Sequence, residues 1–151
     1  MIVKIFKAVW FISLLAAVGV LLFAYAGFPD VIILSDNGTG PVQSMGRNEL
    51  FYAAVGLLAI FNVMVFLINR FMAAGDEFFQ AWFYGLVICF NVFTLVALEF
   101  FNLYNSQERY DYDSIGYIIY GSVGLIVLWA SLWPVGQLVK MFMPKRKVAK
   151  N

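Results

Sequence analysis

The chain has 151 residues, of which 63% are hydrophobic and 13% charged, and its formal net charge is +1. A soluble domain of that length cannot hide so much apolar surface, and long uncharged apolar runs read as membrane spans. With no histidine and one cysteine, Cys89, the sequence excludes histidine-ligated haem, His-containing metal centres, the common catalytic triads and an intrachain disulfide.

The first apolar run, Ala8 to Phe28, follows Lys4 and Lys7 and predicts a span over about residues 5–28. It also resembles a secretory signal, with Ala24-Tyr25-Ala26 as a small-x-small site, but the run is long for a signal and a retained helix is expected. A loop over residues 29–46 follows. In it the run Val31-Ile32-Ile33-Leu34 precedes Asn37-Gly38, a tight-turn signal that points to a small β-hairpin or a surface-lying loop. Asn37-Gly38-Thr39 is also a formal glycosylation acceptor, and the turn reading is preferred. The second span covers about 47–70. After a short link the third covers about 78–104, broken only by Gln80, Asn91, Thr94, Glu99 and Asn102. A polar loop over 105–114 leads to a fourth span over about 115–142, which Pro134 is expected to kink or end, and then to a basic tail over 143–151. Each run supplies the ~20 residues that cross a bilayer, and none alternates like a membrane β-strand. The expected fold is an all-α integral membrane protein, a four-transmembrane-helix bundle in one domain.

Four spans put both ends on one side. Lys4, Lys7, Arg70, Lys140, Lys145, Arg146, Lys147 and Lys150 then share that side, against Arg47 and Arg109 opposite. Cation-rich flanks stay inside, so both termini are expected in the cytoplasm, in a bacterial inner membrane. Tyr25, Tyr52, Tyr104, Tyr110, Tyr112, Tyr117 and Tyr120 gather toward the outer boundary and Trp10, Trp82, Trp129 and Trp133 toward the inner one, as in an aromatic belt.

Glu99 is the one acid inside a span, about 11 Å from the midplane at ~1.5 Å per residue, and Tyr25, Tyr52 and Tyr120 fall near that depth. A buried carboxylate must be protonated or paired, which offers an ion or proton site or, preferably, an acid near the outer interface that bonds a tyrosine or reaches headgroup water. Asn48, Asn62 and Asn69 share one stripe of the second span, and Tyr84, Asn91 and Asn102 share one on the third. As antiparallel neighbours these spans bring Asn48 level with Asn102, and Asn62 to within about 6 Å of the depth of Asn91. Such asparagines read as glue between helices before they read as a substrate seam. Small residues (Ser13 and Ala17; Ala53, Gly56 and Ala59; Gly121 and Gly124) allow close helix approach. Lys145, Arg146, Lys147 and Lys150 are expected to contact anionic lipid headgroups rather than nucleic acid.

There is no Gly-rich phosphate loop, HExxH, CxxC or GxSxG, and no carboxylate pair within a span. Asp111 and Asp113 come nearest to a polar cluster and read better as a solvated loop. The chain is therefore expected to be no enzyme and to need no cofactor. Its expected role is a non-catalytic accessory or scaffold subunit of a larger membrane complex, of respiratory, secretion or motility type. Its partners would be other membrane subunits, a second copy of itself and anionic lipids. The alternative is a small oligomeric channel or transporter that uses the asparagine seam and Glu99.

Overall fold

Apolar segments kept from water must satisfy their backbone N–H and C=O groups internally. The chain does so with four helices and a hairpin: α1 (Ile2–Gly27), β1 (Val31–Ser35), β2 (Gln43–Gly46), α2 (Arg47–Met72), α3 (Glu77–Tyr104) and α4 (Tyr112–Phe142). The computed structural model describes residues 2–35, 41–72, 77–106 and 112–142, less the side chains at 35, 69, 72, 112–115 and 140. Four stretches, Ile2–Gly27, Arg47–Ile68, Glu77–Tyr104 and Gly116–Val139, are long and apolar enough to cross a membrane. The shortest has 22 residues, about 33 Å of helix. These helices fit a multi-pass membrane protein.

Helix α3 is the hub and packs against α1, α2 and α4, most extensively against α1. Its buried face runs Tyr84, Val87, Asn91, Thr94, Leu98, in alternating steps of three and four. The facing stripe of α1 is Trp10, Ala17, Leu21 and Ala24, with Ser13 half-buried between. These are the spacings of interlocking helix seams. Small and polar side chains share the inside with leucines, valines and two large aromatics, while Ile12 and Phe23 point outward, each more than three-fifths exposed. That inside-out distribution suits a lipid surround, where the helix contacts come from close packing and hydrogen bonds.

The helices are closed at one end by the hairpin. Strands β1 and β2 pair antiparallel, Val31 with Gly46 and Ile32 with Met45, with a register shift between Ile33 and Ser35. The Asn37-Gly38 turn expected between them lies outside the described residues. Ile32 is fully buried and packs with Ala24, Phe28, Ala54 and Leu98, so the hairpin plugs the bundle. Asn105, just past α3, occupies the free edge of β1: Ile33 N–H donates to its Oδ1 at 2.7 Å, and its Nδ2 donates to Ile33 O at 3.0 Å. One side-chain amide thus stands in for a neighbouring strand at an otherwise open edge. Glu49 Oε2 accepts from Gly46 N–H at 3.2 Å, half of a capping box that starts α2. Arg47 ties the junction, with its backbone N–H on Asp30 O, its guanidinium on Phe28 O and on the Asp30 carboxylate, and its charge over the Tyr25 ring. Asp30 is 90% exposed, so the ion pair adds little and the backbone bonds do most of the fixing.

Helix α4 continues through Pro134 to Phe142, so of the two expected effects of that proline, termination does not occur. This helix packs chiefly on α3, and only 6% of its most apolar stretch is buried.

Candidate functional site: a polar seam across three helices

Sequence spacing brings Asn62 and Asn91 to similar depth, and the structure joins them. Asn62 Nδ2 donates to Asn91 Oδ1 at 2.9 Å, and Asn91 Nδ2 donates back to Asn62 Oδ1 at 3.3 Å. Helix α1 completes the set. Trp10 Nε1–H donates to Asn62 Oδ1 at 2.7 Å, and Asn91 Nδ2 donates to Ser13 Oγ at 3.0 Å. The Ser13 hydroxyl in turn donates to Trp10 O at 2.8 Å, and Asn62 Nδ2 also reaches Leu58 O at 2.8 Å. Both asparagines are buried, Asn91 to within 1% of complete. Every amide hydrogen-bonding group of the pair is thus engaged, and the residues one position before each asparagine, Phe61 and Phe90, stack on each other with ring centroids 3.8 Å apart.

The seam divides two apolar layers. Toward the hairpin lie Ala17, Leu21, Ala24, Leu58 and Leu98; toward the other end lie Trp10, Val65, Tyr84 and Val87. The clefts nearest it are apolar. One, of about 180 Å³ between α2 and α3, is lined by Leu50, Leu57, Phe93 and Phe101 among others. Another, of about 360 Å³ between α1 and α2, has Asn62 as its single polar liner. A satisfied amide network beside these apolar clefts holds the three helices in register.

The other sequence-predicted residues are dispersed. Asn48 and Asn102 are not bonded to each other. Asn48 Oδ1 accepts from Tyr25 O–H at 3.0 Å, while Asn102 lies against Gly27. The last turn of α1 meets each of them, Asn48 through the Tyr25 hydroxyl and Asn102 at Gly27. Glu99 is half-buried on α3 and makes no hydrogen bond or ion pair among the described residues. Its expected tyrosine partner is absent there: Tyr52 and Tyr120 are 71% and 76% exposed, and Tyr25 is taken by Asn48. Cys89 is buried in α3. The side chain of Asn69, the Asp111 and Asp113 side chains, and Lys145, Arg146, Lys147 and Lys150 lie outside the described residues.

Sequence reasoning placed the four tryptophans in an interfacial belt and missed the contacts they make inside the bundle. Trp10 belongs to the seam. Trp82 and Trp129 form a reciprocal clasp between α3 and α4: Trp82 Nε1–H donates to Trp129 O at 2.9 Å, and Trp129 Nε1–H donates to Trp82 O at 2.8 Å. Trp133 adds ring contacts to Phe78, Phe79 and Trp82. The clasp needs Gly85, because a Cβ there would fall inside the Trp129 indole. Its sequence signal was a glycine one helical turn from a tryptophan on an otherwise bulky helix.

Among the described residues, no three His, Cys, Asp or Glu side chains gather as a metal site would require. No protein-family model, curated protein or solved structure matches the chain.

Proposed function

We propose that the chain is a non-catalytic, multi-pass protein of the inner membrane, with both termini cytoplasmic, that serves as an accessory subunit of a larger membrane assembly. The observation that carries this reading is the bareness of α4. This helix is apolar on all sides and clasped to α3 near its inner half, while Gly121 and Gly124 face open space. Small residues on an uncovered helix permit close approach by another membrane helix. The polar groups of the core are spent on one another, which supports a role through contact rather than chemistry.

The test is to isolate the tagged chain from its native membrane in mild detergent. A second membrane protein is expected at stoichiometric yield. Gly121→Leu with Gly124→Leu is expected to release it and leave the thermal midpoint of the isolated chain unchanged or slightly raised, since no neighbour opposes a side chain at either glycine. Recovery of the lone chain from native membranes contradicts the proposal.

The channel reading has one favourable observation, Glu99, which lies within a span and has no hydrogen bond or ion pair among the described residues. It predicts ion or solute flux in liposomes that Glu99→Gln changes.

A further inference from the structure

At the end of the bundle opposite the hairpin, Lys7 of α1 and Arg70 of α2 flank a cleft of about 440 Å³ floored by Trp10, Val65, Phe66 and Tyr84. Both cations are exposed, and neither makes an ion pair among the described residues. Glu77, exposed at the start of α3, pairs with neither of them. Two like charges sharing one cleft repel each other, and an anion placed between them turns that repulsion into attraction.

The cleft does not stand alone. Phe66 also lines the apolar slot of about 360 Å³ that follows α1 through Leu14, Val18 and Leu22, with Phe51 and Val55 opposite on α2. The slot exists because α1 and α2 touch only lightly, each being drawn to α3 instead. From Lys7 to Leu22 is about 22 Å of helix, enough to take in a headgroup region and one leaflet of roughly 15 Å. Asn62 is the slot's only polar liner, and its amide is committed to the seam.

We infer that the groove between α1 and α2 is a binding site for an anionic phospholipid, with its phosphate between Lys7 and Arg70 and an acyl chain along the slot. A free phosphate would meet the two cations and leave the slot bare. A zwitterionic lipid would fill the slot and bring its own cation toward Lys7 and Arg70. Only an anionic lipid matches both halves of the groove. The site is independent of the basic tail and of whichever protein covers α4.

The full chain in mild detergent is titrated with phosphatidylglycerol, phosphatidylcholine or inorganic phosphate, and bound lipid is read by native mass spectrometry alongside the thermal midpoint. Phosphatidylglycerol is expected to be retained and to raise the midpoint, and the other two to do neither. Lys7→Gln with Arg70→Gln is expected to weaken phosphatidylglycerol binding roughly 30-fold. Both residues are exposed, so the lipid-free midpoint should hold. Val18→Trp, which fills the slot, is expected to weaken binding with both cations intact, whereas Lys145→Gln with Lys147→Gln is expected to leave it unaltered. Equal retention of phosphatidylcholine, a midpoint shift reproduced by phosphate, or unchanged binding in the Lys7/Arg70 double variant would each overturn the site.

Discussion

Replacing Asn62 with leucine is expected to lower the stability of the folded chain by about 3 kcal/mol. Asn62 is the centre of the seam: it accepts from Trp10 and Asn91 and donates to Asn91 and Leu58. Leucine fits the volume but leaves the Trp10 indole N–H and one side of the Asn91 amide unpaired in an apolar layer. Asn91→Leu is expected to cost less, about 2 kcal/mol, because the Trp10 bond to Asn62 survives it. The double variant should fall short of the sum by about 1 kcal/mol, since the reciprocal amide pair is lost only once. Unfolding of helicity by a denaturing detergent, followed for the four proteins, measures the cycle. Strict additivity would mean that the amides do not act on each other.

Gly85→Leu is expected to be as damaging, about 3 kcal/mol, and through α4 alone. The clasp of Trp82 and Trp129 depends on an α3 surface without a side chain at residue 85, and with the Trp133 ring contacts it holds α4 to α3. A side chain there pushes the Trp129 indole away, both indole bonds break, and α4 parts from α3 while the α1–α3 seam remains. Tryptophan fluorescence should change, and limited proteolysis should separate α4 first. The matching control is Gly56→Ala, at a position with no neighbour within 4 Å. It should be neutral or more stable by up to about 1 kcal/mol, as helix propensity alone dictates.

The four helices were legible because each is a long apolar stretch, a signal that needs no knowledge of neighbours. The hairpin was half legible: the apolar run Val31-Ile32-Ile33-Leu34 before Asn37-Gly38 offered a hairpin or a surface-lying loop, and the pairing of β1 with β2 is the first of these. Helix faces were not. In a soluble bundle the apolar stripe marks the inside, but here Phe23 and Ile12 are exposed while Ala17 and Ala24 are completely covered, so hydrophobicity gives no direction. Only residues disfavoured in lipid mark the inner face from sequence, and of these Asn62 and Asn91 could be paired by depth. Ser13 and Trp10 could not, because their partners lie 78 and 52 residues away on helices whose rotation the sequence leaves open. Tryptophan is doubly ambiguous, since the same indole suits a headgroup belt or a buried bond to a carbonyl. For Glu99 the depth ruler offers a tyrosine or headgroup water, but depth carries no azimuth, and Tyr52 and Tyr120 are largely exposed while Tyr25 bonds Asn48.

The four helices are expected to cross a bilayer with the hairpin outside. Single cysteines placed in a Cys89→Ala background, at Ser44→Cys in the hairpin and at Glu77→Cys at the start of α3, can be challenged with a membrane-impermeant maleimide on intact cells. Labelling of the hairpin cysteine in intact cells, with the α3 cysteine reached only after lysis, is the predicted result. The reverse pattern, or both cysteines labelled in intact cells, would contradict it.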